Sequence, residues 1–98
     1  MANQEQRDTY ALAQRIKDLM DTLPRIEGRL AYDALQSAVS ELEAVAAYAP
    51  RKARTSGLRR AYIYAKYAYK YAPYEYRQTV LDSHAEAVAL YYRHAVKQ

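Results

Sequence analysis

Between Arg51 and Tyr71 the chain interleaves cations with phenol rings: Arg51, Lys52, Arg54, Arg59, Arg60, Lys66 and Lys70 alternate with Tyr64, Tyr67 and Tyr71. A row of cations neutralises phosphates and releases their counterions. An exposed ring stacks on an unpaired base, worth about 1–3 kcal/mol. These ten residues are the candidate nucleic-acid contacts, for DNA or RNA. The chain has no zinc-finger spacing, no glycine-bearing aromatic motif of the RNA-recognition sheet and no clear helix-turn-helix pattern, so binding is expected to follow charge and shape rather than sequence. The twelve tyrosines stand without Phe or Trp, and nine of them lie between Tyr62 and Tyr92. Every ring therefore carries a hydroxyl, which suits a surface where an apolar body meets water or a partner. The simpler reading is that the rings are core and rim aromatics of a small bundle and the cations its solvated face. A Tyr-rich interface for a protein partner is a further alternative.

Arg77 and His84 are the other residues with chemistry in their types, a phosphate-binding cation and an acid–base imidazole with six residues between them. This Arg-x6-His spacing resembles the signature of HEPN domains, four-helix-bundle proteins that include metal-independent ribonucleases and toxin components. The resemblance rests on those two residues. It implies a pair gathered at a dimer cleft, with Arg77 steadying a phosphate and His84 acting as acid or base on a ribose hydroxyl. On an unbroken helix the two share a face about 10 Å apart along the axis, so serving one bond needs a bend or a second subunit. Alternatively, His84 sits between Leu81 and Val88 as a half-buried bundle histidine with one hydrogen bond. His94 and Lys97 read as favourable charges near a helix C-terminus.

Other chemistries lack their parts. With no cysteine and two histidines, disulfides and thiolate metal sites are excluded, and no metal or other cofactor is expected. There is no glycine-rich phosphate loop, nucleophile elbow or paired-carboxylate constellation. No apolar run is long enough to span a bilayer, and the basic stretch lacks the Leu, Phe or Trp face that enters lipid, so no membrane role is expected. The polar N-terminus does not read as a secretory signal. An intracellular protein, or part of a particle assembled inside a cell, is expected.

The formal charge of +4 hides a division between halves. Residues 1–50 carry five basic and eight acidic side chains, a net of −3, whereas residues 51–98 carry ten basic and three acidic, a net of +7. Such asymmetry points to a polyanionic partner or to head-to-tail association of unlike surfaces.

The elements that must position these residues read as helices of a single domain, since 98 residues support one modest core. Two glycines and three prolines, the latter at 24, 50 and 73, cut the chain into four helix-sized lengths. In the first, Leu12, Ile16, Leu19, Met20 and Leu23 share a face. The second carries an unbroken seam of Ala31, Leu35, Ala38, Leu42, Val45 and Ala49. The basic run Arg51 to Gly57 reads as a linker whose Thr or Ser caps the next helix. The third length is ambiguous. Its tyrosines alternate as a strand or hairpin would, but Leu58, Ala61, Ala65, Ala68 and Ala72 keep helical spacing, and Ala favours helix over strand. As a helix it places Tyr64, Tyr67 and Tyr71 on one ridge beginning at Arg60, Tyr62 and Tyr69 on another, and Lys66 one turn from Lys70. The fourth length opens at Pro73 and aligns Arg77, Leu81, His84, Val88, Tyr91 and Ala95. The chain therefore reads as an all-α bundle of about four helices. The leading expectation is a non-enzymatic nucleic-acid-associated protein of packaging, coat or nucleoid type that self-associates as a homo-oligomer.

Overall fold

A computed structural model of the chain describes residues 3–47 and 50–96. Four helices form: α1 Gln4–Thr22, α2 Arg29–Ala47, α3 Arg51–Tyr71 and α4 Arg77–Val96, with a single 3-10 turn, Tyr74–Tyr76, ahead of α4. Helix α1 starts with a reciprocal cap. The Asn3 side chain accepts from the Gln6 backbone N–H at 2.8 Å, and the Gln6 side chain accepts from the Asn3 N–H at 3.0 Å. Helices α1 and α3 stop for the same reason. Leu23 and Ala72 each precede a proline, which disfavours helical ψ, and both are extended, with ψ of 141° and 142°.

Helix α3 begins earlier than the sequence suggests. The basic run Arg51 to Gly57 is not a linker but its first two turns, and Pro50, not a threonine or serine, stands at the N-cap. Proline's fixed φ suits that position, and the Arg54 N–H donates to the Pro50 carbonyl at 2.8 Å. Thr55 donates to the Arg51 carbonyl one turn back, as a threonine inside a helix does.

Successive helices pack antiparallel in a ring, α1 on α2, α2 on α3, α3 on α4 and α4 on α1, so that α1 and α3 lie on opposite corners. Each helix sends one stripe inward: Leu12, Ile16, Leu19 and Met20 from α1, and Leu35, Val39, Leu42 and Val45 from α2. Leu58 with Ala61, Ala65, Ala68 and Ala72 comes from α3 and its C-cap, and Val80, Ala87 and Leu90 come from α4. A face built of alanine lets neighbouring helices approach the α3 backbone closely. At Gly57 there is no free room for a side chain: a Cβ there would stand 2.5 Å from Val45 Cγ2, so a larger residue forces that stiff, buried valine or its helix to shift.

The inward stripe of α4 lies one position off the expected face. Val80, Ser83, Ala87, Leu90 and His94 are buried, while Leu81 is exposed and His84, Val88 and Tyr91 are half-buried. Pro73 is the N-cap of the 3-10 turn rather than part of α4, and that turn sets where Arg77 starts the helix. His94 is 3% exposed, not a surface charge at the helix end. Its Nδ1 lies 2.5 Å from Glu5 Oε1, and its Nε2 lies 3.3 Å from the Arg51 carbonyl oxygen, tying α4 to both α1 and α3. Ala49 and Lys97, named above for the α2 seam and the C-terminal charge, fall outside the described residues.

Candidate nucleic-acid interface

Helix α3 has no acidic residue, and none occurs anywhere between Glu43 and Glu75. With its alanine stripe turned inward, helical geometry directs Lys52, Arg59, Ile63, Lys66 and Lys70 along the opposite side, and all five are exposed. Arg59 and Lys66 are seven residues apart, as are Lys52 and Arg59, a rise of roughly 10 Å each, and Lys70 follows Lys66 by one turn. Among the described residues no carboxylate pairs with Lys52, Arg59, Lys66 or Lys70.

The ten candidates divide into three groups. Lys52, Arg59, Lys66 and Lys70 form the outward row, with Tyr67 beside it at 52% exposure. Arg60, Tyr64 and Tyr71 line the flank towards α2, where Arg60 is held 3.0 Å from the Glu41 carboxylate. That hydrogen bond raises the guanidinium pKa above its usual value. Tyr64 is half-buried and Tyr71 is 45% exposed, with Lys70 Nζ 5.5 Å from its ring centroid. Arg51 and Arg54 stand at the start of the helix. Arg51 is exposed, whereas Arg54 turns partly inward and buries its Nε. So Arg54 does not share the outer face.

The two tyrosine ridges have separate duties. Tyr62 and Tyr69 pack on the rim of the core next to α4. Tyr62 meets the His84 and Tyr91 rings edge-on, at centroid distances of 6.1 and 5.3 Å. Of the other ridge, Tyr67 lies beside the outward row, Tyr71 is exposed on the flank and Tyr64 is half-buried.

Arg77 and His84 do not converge. His84 Nδ1 lies 2.9 Å from the Tyr62 carbonyl oxygen, which fixes that nitrogen as the donor. The Arg77 Nε donates to the Ala72 carbonyl at 3.2 Å, and its guanidinium sits over the Tyr69 ring, 5.9 Å from the centroid. Each is committed to a different carbonyl, one within α3 and one at its C-cap.

Ile63, Tyr69 and Arg77 are absent from the sequence-derived set, yet they complete a feature of this face. Together with Lys66, Tyr67 and Lys70 they line an open groove of about 560 Å³ with a mostly apolar floor. Ile63 was legible in principle, being one turn before Lys66 and Tyr67 on a helix. Arg77 was not, because the turn through Pro73 brings it there. No protein-family profile, curated protein or solved structure matches this chain. No helix among the described residues is long and apolar enough to cross a membrane, and no group of three or more His, Cys, Asp or Glu there could hold a metal ion.

Proposed function

We propose that the outer face of α3 holds the phosphate backbone of nucleic acid, DNA or RNA, without reading its sequence. A packaging, coat or nucleoid role inside the cell, or in a particle assembled there, fits such a protein. The observation that carries this reading is the row Lys52, Arg59, Lys66 and Lys70, whose charges no carboxylate of the described residues offsets. Three cations at other helix contacts are paired across them: Arg15 with Glu86, Lys17 with Glu43 at 2.6 Å and Arg93 with Asp8 at 2.8 Å. The start of α3 supports the same reading. Lys52 lies at the positive end of the helix dipole, whose first turn has no acidic residue and no side-chain cap, an arrangement that an anion relieves.

Self-association belongs to the same proposal. The first half, at net −3, complements the second half of a neighbour, and such head-to-tail contact builds a ring or an open filament. His84 has a structural role in this reading, and Arg77 and His84 do not act together on a bond.

The test is a titration of labelled single- and double-stranded DNA and RNA across salt concentrations. Four neutralised phosphates give a slope of log affinity against log salt of about −3 to −4. A flat response removes the reading, as does RNA cleavage that is lost in both His84→Ala and Arg77→Ala. Tight retention of a protein with no retained nucleic acid would transfer the tyrosine face to a protein partner.

A further inference from the structure

We infer that the groove lined by Ile63, Lys66, Tyr67, Tyr69, Lys70 and Arg77 seats an unpaired nucleobase, so that the protein prefers single-stranded nucleic acid to duplex. This rests on the phosphate-binding reading of α3 and adds to it a ligand for the apolar floor. Phosphate contacts need only the cations. They leave no use for an exposed Ile63 and a Tyr67 ring at 52% exposure set between them.

The groove combines the two surfaces that a nucleotide presents. Its floor offers the Ile63 side chain and the Tyr67 and Tyr69 rings, against which a base face gains stacking and burial of apolar area. Its rim offers charge on both sides. Lys66 and Lys70 rise on one helix about 6 Å apart along the axis. Arg77 comes from α4, steadied by its bond to the Ala72 carbonyl and its position over Tyr69. Among the described residues Arg77 uses only Nε in a hydrogen bond, so both terminal nitrogens remain for a phosphate, which a guanidinium engages bidentately. A duplex keeps its base faces stacked inside and presents only backbone and groove edges, so the floor would gain nothing from it. An unstacked strand brings base and phosphate together, and the groove receives both.

The experiment uses the full chain and fluorescence anisotropy with three probes of equal length: a strand of about ten thymidines, the same backbone without bases, and a duplex. The expected result is that the thymidine strand binds roughly 5- to 100-fold more tightly than the abasic strand. In Tyr67→Ala and Ile63→Ser that advantage shrinks towards unity while abasic binding is unchanged. Circular dichroism of both variants verifies that the bundle is intact, as expected for exposed positions. Equal affinity for thymidine and abasic strands overturns the base seat but leaves the phosphate reading standing, and so does a duplex bound as tightly as the thymidine strand. Failure to retain any of the three at low salt overturns both.

Discussion

Helix α3 and the seam between α1 and α4 both expose cations, but they use them differently. At the seam, Arg15 and Arg93 reach across to Glu86 and Asp8, so each charge is spent on holding two helices together. On α3, Lys52, Arg59, Lys66 and Lys70 lie in a row with no carboxylate of the described residues paired to them, and the Arg60–Glu41 pair lies on its flank. Exposed ion pairs contribute little to stability, whereas unpaired like charges on one face repel one another and cost stability unless an anion is present. The same residue types thus serve the fold in one region and stand available to a ligand in the other. The difference is not in how basic the helices are but in what each cation meets.

The contrast is sharpest within α3 itself, between adjacent residues. Ala65→Leu forces a larger side chain into the fully buried face, and is expected to lower the unfolding free energy by about 1–3 kcal/mol, measured by denaturant titration. Lys66→Ala, one position on, is expected to leave stability within about 0.5 kcal/mol while weakening nucleic-acid retention and flattening the salt slope by about one. If Lys66→Ala unfolds the bundle, the outer face is not a free surface.

A smaller effect is expected at the α2–α3 contact. Gly57→Ala adds a methyl against Val45, a cost of about 1–3 kcal/mol, partly offset by roughly 1 kcal/mol of helix propensity. A variant more stable than the parent would show that α2 gives way there without strain.

The seam should show the smallest response, and a pH-dependent one. Hydrogen bonding from Gln4, and then from Arg93, lowers the Asp8 carboxyl below its ordinary value of 3.8. A group depressed in the folded state contributes stability above its unfolded pKa and loses it as pH falls through the folded one. The difference in melting temperature between the parent and Asp8→Asn should be a few degrees at most at neutral pH, and should vanish under acid well below 3.8. Lys17, raised from 10.5 mainly by its hydrogen bond to Glu43, behaves oppositely: its contribution is present below 10.5 and fades as pH rises beyond it. A difference that instead grows on acidification contradicts the seam as drawn.

Much of this was legible in the sequence wherever a single helix decides the outcome. The α1 stripe, the α2 seam through Val45 and the alanine face of α3 follow directly from spacing, and alanine correctly outweighed the strand-like alternation of the tyrosines. What failed depends on phase or on distant neighbours. Arg51 to Gly57 looked like a linker because its charges and its Thr-Ser-Gly imitate one. The helix runs through it because Pro50 presets the first turn and the glycine is needed for contact with Val45. On α4, Leu81, Val88 and Tyr91 are as apolar as Val80, Ala87 and Leu90, so composition could not choose between adjacent faces, and the 3-10 turn at Tyr74–Tyr76 made the choice. Arg77 joins Lys66 and Tyr67 only through the turn that follows α3, a placement no local pattern encodes.

The most direct measurement compares two triple variants of equal formal charge across salt: Arg59→Ala, Lys66→Ala and Lys70→Ala against Arg15→Ala, Lys17→Ala and Arg93→Ala. Because net charge is the same in both, any difference reports position. With binding carried by the unpaired row, the first triple flattens the salt slope by about 2–3 and loses most retention, while the second keeps the parental slope. Equal losses in the two would contradict it, since retention would then follow total charge and the outer face of α3 would have no special part.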